Sequence, residues 1–297
     1  MFPDFARRGT QVMSEFFIAL SEHAFLQSAL IAGLLASIGC GMVGTYVVVK
    51  RIAFLAGGIA HSVLGGMGAA LYFGFDPLLG ALLAAVVAAL LIGWVRLKWQ
   101  AQEDTLIGAL WAIGMAVGIL FIAKTPGYQT DLMSYLFGNI LLVPEASLWF
   151  MGGLDTLLLI VVGAYRHQFL AVAFDEEHAR LRGIPVTFFY LLLLVLVAVT
   201  VVLLIQVVGL ILVLALLTLP AAVAGHYVNS LGAMMLLATL LGAAVSTFGL
   251  ALSYGPDLPA GPTIVLLAGS VYVVSALVAR TLARRRAHLS VSGARSR

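Results

Sequence analysis

Apolar and polar positions along this chain come in blocks instead of alternating. Nine long apolar segments can be laid out, at 24–49, 53–73, 77–97, 105–123, 145–165, 186–207, 209–225, 231–253 and 263–282. Each has roughly 17 to 25 residues and so is able to cross a hydrocarbon core of about 30 Å as a helix. Backbone amides and carbonyls inside a bilayer must bond to one another, which predicts helices for all of them. The expected fold class is all-α: a polytopic membrane helical bundle with about nine membrane segments, in a range of eight to ten. An N-terminal extension and interfacial segment occupies 1–23, one transmembrane domain 24–283, and a basic cytoplasmic tail 284–297.

Two stretches interrupt the apolar pattern. Between the fourth and fifth spans lies Asp131 to Val143, whose apolar core Leu132-Met133-Ser134-Tyr135-Leu136-Phe137-Gly138 is too short to cross alone and reads as a re-entrant or broken helix. Between the fifth and sixth lies Phe174-Asp175-Glu176-Glu177-His178-Ala179-Arg180-Leu181-Arg182-Gly183-Ile184. So dense a run of charge must leave the bilayer. Asp175, Glu176 and Glu177 fall in a first turn, where acids favour the helix dipole, Arg180 and Arg182 come later, and Gly183 is a stop signal. A short surface helix made to dock on another protein is the expectation, within a segment of about 172–185; a solvated loop without a partner is the alternative.

Composition agrees with the pattern. Apolar residues make up 62% and charged residues 10%, whereas a soluble domain is nearer a quarter charged. Basic residues are retained on the cytoplasmic side. With a re-entrant Asp131–Val143, the bases Lys50, Arg51, Arg96, Lys98, Arg166, Arg180, Arg182, Arg280 and Arg284-Arg285-Arg286 all fall inside. If that segment crosses, Lys50, Arg51, Arg96 and Lys98 move outside, and the first half of the chain inverts. A multi-pass protein of a bacterial-type inner membrane follows in either case. Met1–Val12 lacks the apolar core and cleavage pattern of a secretory signal, and Met13 stands as a second candidate start. Ser14–Leu26 mixes charge with aromatics and suits an interfacial helix. The lone Cys40 excludes an internal disulfide and belongs with Ala32, Ala36 and Gly44 in a small-residue packing stripe.

Several activities are excluded by what is missing. None of the three lysines, Lys50, Lys98 and Lys124, follows a glycine, so there is no phosphate-binding Gly-Lys loop. No Gly-x-Ser-x-Gly elbow and no His-Glu-x-x-His occurs. We therefore expect no catalytic residues, no permanently bound cofactor and no nucleic-acid partner.

Chemistry concentrates in the second span, Leu55-Ala56-Gly57-Gly58-Ile59-Ala60-His61-Ser62-Val63-Leu64-Gly65-Gly66-Met67-Gly68-Ala69. Residues at i, i+4 share a face. Gly58, Ser62, Gly66 and Ala70 form a stripe suited to close helix contact, and Gly57, His61, Gly65 and Ala69 form the neighbouring one. A histidine so flanked faces protein or a water-filled path, and neutral imidazole is a common ligand of transition metals. Its bland alternative is a histidine hydrogen-bonded to the next helix. Asp155, near the middle of the fifth span, is a candidate partner for His61 or for a cation in transit. Pro220 removes an amide donor and crowds the carbonyl of Leu216, predicting a kink in the seventh span, with Thr218 at hand to help. Tyr254-Gly255-Pro256-Asp257-Leu258-Pro259-Ala260-Gly261-Pro262 reads as a rigid outward turn, with Asp257 placed to meet a cation or a docked binding protein.

These pieces resemble a family, the membrane permeases of ATP-binding-cassette importers for zinc, manganese and iron. The resemblance runs from about Leu26 to Ala283. Val49-Lys50-Arg51 before the Gly/His helix carries it, with Glu103-Asp104-Thr105-Leu106-Ile107-Gly108 and Asp131 to Asn139. Gly209-Leu210-Ile211-Leu212 through Leu219-Pro220-Ala221-Ala222, and Leu258-Pro259-Ala260-Gly261-Pro262, complete it.

The resemblance implies a homodimeric transport subunit that moves a divalent metal ion, zinc or manganese and possibly iron. It also implies two separate cassette ATPase subunits, coupled through Asp175, Glu176, Glu177, Arg180, Arg182 and Gly183, and an extracytoplasmic metal-binding protein. The chain departs from the family at Gly57, where many members hold an aspartate, and at Asn139, where many zinc members read aspartate. Asp131, Glu145, Asp155 and Asp257 are the acids left to supply the charge. A siderophore- or cobalamin-type importer permease and an ion-coupled secondary transporter stay open as alternatives.

Overall fold

The computed structural model describes residues 16, 18–98, 103–125, 138, 140–256 and 258–294, without the side chains of 103, 206–208, 210–212 and 283–294. The described chain is helical: α1 Ala24–Val49, α2 Ala53–Tyr72, α3 Pro77–Lys98, α4 Glu103–Lys124, α5 Glu145–Ala164, α6 Arg166–Phe174, α7 Glu176–Leu181, α8 Val186–Gly225, α9 Leu231–Tyr254 and α10 Ala260–Ala294. Among the described residues, eight helices are long and apolar enough to cross a membrane.

The sixth and seventh expected spans, 186–207 and 209–225, both lie within α8. An unbroken α8 of 40 residues would be about 60 Å long, twice the hydrocarbon thickness. Its backbone breaks at Gly209, with φ 71 and ψ 170, a conformation essentially reserved for glycine. Packing against α1 shows which way the chain then runs. Thr200 lies beside Gly39, whereas Leu217, seventeen residues on, lies beside Gly44, nearer the end of α1 that bears Lys50. The chain has doubled back, and Val213–Gly225 is a short apolar return helix. The boundary expected between 207 and 209 is therefore realised at Gly209. Pro220 sits inside the return helix, and Thr218 Oγ1 donates to the Leu214 carbonyl at 2.6 Å.

Small residues set the remaining packing. Along α1 and α9 the facing pairs are Gly33 with Ser246, Ser37 with Gly242, and Gly41 with Thr239, an antiparallel register in which helix backbones approach closely. Between α2 and α4 the pairs are Gly58 with Ile107, Gly65 with Gly114, and Gly68 with Gly118, a parallel register. Gly66 and Ala70 pack instead against Gly80 of α3. The Gly58, Ser62, Gly66, Ala70 stripe is thus used within the subunit, divided between two neighbours. Cys40 is buried and unpaired in α1.

These registers settle which side each end occupies. Lys50, closing α1, reaches Glu176 of α7, so the basic ends of α1 and α3 and the charged island share one side, cytoplasmic by the excess of Lys and Arg. α4 runs parallel to α2 and ends at Lys124 on the opposite side. α5 begins there, because Asp155 lies beside Gly39 while Val162, further along α5, lines the same groove as Met42, further along α1. The connection 125–144 therefore starts and ends outside, as the re-entrant reading requires. Ile140 in the 3-10 turn Ile140–Leu142 is 3% exposed and reaches Gly33 of α1. Asp131 to Phe137 and Asn139 themselves lie outside the described residues. At the outer end, Phe16 is buried with its ring 6.2 Å from that of Tyr254. The last helix runs on to Ala294, so the basic tail begins as a continuation of α10.

Candidate functional site

Two places carry chemistry, one at the cytoplasmic foot and one in the span of α2. At the foot, Asp175 ends α6 and caps α7. Its backbone is extended (φ −149, ψ 101), and its Oδ1 accepts from the His178 amide at 2.9 Å, satisfying one of the donors a helix start leaves free. Glu176 and Glu177 fill the first turn. Gly183 stops the helix at φ 74, with the Ile184 amide donating to the Ala179 carbonyl at 3.1 Å, the closure glycine permits at a helix end. The expected helix forms here with its acids first and its glycine stop, but Asp175, expected in the first turn, is the cap that precedes it.

Another acid in it differs from expectation. Glu176 is held from within the subunit: Lys50 Nζ donates to its Oε1 at 2.6 Å and to the Val172 carbonyl at 2.8 Å. The Lys50 side chain is 6% exposed. Its ammonium lies 5.7 Å from the Tyr190 ring centroid, and Arg96 stands 4.8 Å from the same centroid while donating to the Tyr190 hydroxyl at 2.9 Å. Five helices, α1, α3, α6, α7 and α8, are thereby tied at one point. Glu177, Arg180 and Arg182 stay exposed. So do two large apolar side chains flanking them, Phe174 at 69% and Leu181 at 83%. An apolar pair rimmed by charge is what a docking surface presents.

In α2, His61 is half-buried. Its Nδ1 lies 2.8 Å from the Gly57 carbonyl oxygen; a carbonyl only accepts, so Nδ1 carries the hydrogen and Nε2 is the nitrogen left with a lone pair. The ring stacks on Trp111 of α4, with centroids 3.8 Å apart and planes at 24°. Stacking and hydrogen bond together fix the imidazole. A Cβ at Gly57 would meet Leu214 at 3.4 Å and Trp111 at 3.7 Å, so a side chain there starts with ordinary contacts.

Asp155 is elsewhere. It is 4% exposed, in the interior between α1, α5 and α8, where its Oδ1 would be 3.0 Å from a Cβ on Gly39 and its Oδ2 has no hydrogen-bond partner. Its neighbours are Gly39, Thr200 and Leu158; those of His61 are Gly57 and Trp111. The proposed pairing of the two is not what the structure brings together, and among the described residues no three His, Cys, Asp or Glu gather into a metal-holding group. Asp131, Asn139 and Asp257 lie outside the described residues, and Glu145 is exposed in the first turn of α5. Sequence reasoning missed the roles of Lys50, Arg96, Tyr190 and Trp111. Their contacts join residues 50 to 140 positions apart, and no local spacing encodes them.

Comparison with known proteins adds the family. The model of the ABC 3 transport family matches residues 22–279. A protein of Chlamydia muridarum described as a probable metal transport system membrane protein is 43% identical over 259 residues, 85% of this chain and 88% of that protein. The manganese import system permease protein ScaB of Streptococcus gordonii is 33% identical over 268 residues, 90% of this chain and 96% of ScaB. Among solved structures, a chain of PsaBC from Streptococcus pneumoniae in complex with Fab superposes with a TM-score of 0.81 at 35% identity, covering 89% of this chain and 95% of that one.

Proposed function

The chain belongs to the ABC 3 transport family, and from that premise we propose that it is the membrane permease of a metal importer, with manganese as its first cargo. It is a transport subunit and not an enzyme. Two copies would form the pathway, separate cassette ATPases would dock on the cytoplasmic foot, and an extracytoplasmic protein would deliver the ion. Manganese is favoured over zinc because ScaB, similar along nearly its whole length, is named for manganese.

The observation that carries the reading is the foot. A capped helix with an exposed apolar and charged surface is anchored by Lys50 to the end of a transmembrane helix. Movement imposed there by a docked ATPase would be passed directly to α1. An ion-coupled secondary transporter has no need of such a foot, and family membership removes that alternative.

Uptake of radioactive manganese by cells lacking their own importers, and expressing this permease with its ATPase and binding protein, tests the cargo. Saturable uptake inhibited by excess unlabelled manganese more strongly than by zinc or iron(II) is expected. Stronger inhibition by zinc would reassign the cargo, and uptake of a metal chelate in place of the free ion would favour the siderophore-type reading.

A further inference from the structure

Beyond the ion path, α1, α5, α6 and α9 enclose a groove of about 690 Å³ at the cytoplasmic end of the bundle. Its walls are apolar, from Ile38 and Met42 of α1, Leu159 and Val162 of α5, and Met235 and Leu236 of α9. Arg166 and His167, both bases and both exposed, line it at the start of α6, with the phenol of Tyr46; among the described residues no carboxylate does. His167 Nε2 lies 3.2 Å from Arg166 Nε, which donates to it, leaving the terminal guanidinium nitrogens for another acceptor. We propose that this groove holds an anionic phospholipid of the inner leaflet, an acyl chain along the apolar walls and the headgroup phosphate at Arg166.

Depth and charge together select that occupant. The lining stretches of α1, α5 and α9 all lie within about three turns, roughly one leaflet's depth, of their cytoplasmic ends, so the groove occupies the inner leaflet and its basic rim stands at headgroup level. Water has few partners on the apolar walls, and lipid tails cover such walls in a bilayer. A guanidinium above them adds a preference for negative headgroups, since planar paired donors match phosphate oxygens.

Two glycines keep the groove open. A Cβ added to Gly163 or to Gly232 would meet no atom within 4 Å, so a larger side chain at either position projects into the groove without displacing the fold. Glycine inside a helix also costs stability relative to other residues, which makes both positions favourable for filling.

The test is native mass spectrometry of the full permease–ATPase complex, exchanged from detergent into nanodiscs of phosphatidylglycerol or of phosphatidylcholine and then released. The wild type should retain phosphatidylglycerol over phosphatidylcholine by about fivefold, the worth of one basic residue near an anionic surface. Arg166→Gln should bring that ratio close to one. Gly163→Leu and Gly232→Leu should lower retention of both lipids while leaving the number of permease and ATPase copies unchanged. Equal retention of the two lipids by the wild type would overturn the proposal. So would glycine variants that keep their lipid, or that lose a protein subunit in its place, which would give the groove to a protein partner.

Discussion

A histidine whose Nδ1 is bonded to its own helix has one nitrogen left for an ion, and at His61 that nitrogen is Nε2. If His61 is a ligand on the path, His61→Ala should cut metal uptake by about tenfold or more at unchanged expression; normal uptake would return the residue to a packing role against Trp111. Gly57→Asp is the complementary change. Its Cβ begins at ordinary contact distances, so the variant should fold, bind metal more tightly and release it more slowly, read as a lower KM with a lower kcat for uptake. His61 was legible in the sequence because its glycine neighbours singled it out. Trp111 was not, since a ring contact across fifty positions leaves no mark on local spacing. Asp155 was legible as a buried acid but not as a resident of a different interface, because hydrophobic periodicity gives a residue's helix and not its neighbour.

Among elements, the cytoplasmic foot shows the closest agreement with the sequence. Acids first, bases later and a glycine stop are local signals, and the helix follows them. The tie to Lys50 is long-range, and it changes what a charge reversal means. Glu176→Lys removes the partner of a lysine that is 6% exposed while Glu176 itself is 39% exposed. The cost should therefore fall between that of surface and buried pairs, about 1 to 3 kcal/mol. Either Lys50→Glu or Glu176→Lys alone should uncouple ATP hydrolysis from transport, and the double exchange should recover much of the coupling. Failure of the double exchange to recover any would show that the pair does not act as a unit. Glu177→Lys should weaken coupling without that cost in stability. A second element tests the reversal in α8. Gly209→Ala places a Cβ at φ 71, ψ 170 and should lower stability by about 1 to 3 kcal/mol, seen as a lower melting temperature of the detergent-solubilised protein. An unchanged melting temperature would argue against the break. The apolar layout already parted 186–207 from 209–225 at this point, whereas the left-handed backbone of Gly209 that makes the turn leaves no mark on hydrophobic spacing; Pro220, expected to kink the seventh span, lies within the return helix.

For the whole molecule, the apolar blocks were enough to name an all-α bundle, and the basic residues were enough to orient its second half. The first half needed tertiary contacts, because the side occupied by Lys50 and Arg96 depended on whether one short segment crosses. The ion pair of Lys50 with Glu176 decides it. As proposed, this bundle moves a metal ion at the expense of ATP hydrolysed by a partner docked on the foot. The most direct test of this is manganese accumulation in proteoliposomes containing the permease, its ATPase and the binding protein, with ATP supplied on the side that bears α7. Accumulation should require ATP on that side and should be lost in Glu176→Lys while ATP hydrolysis continues. Manganese entry that proceeds without ATP, or that is driven by an ion gradient alone, would contradict an ATP-driven importer.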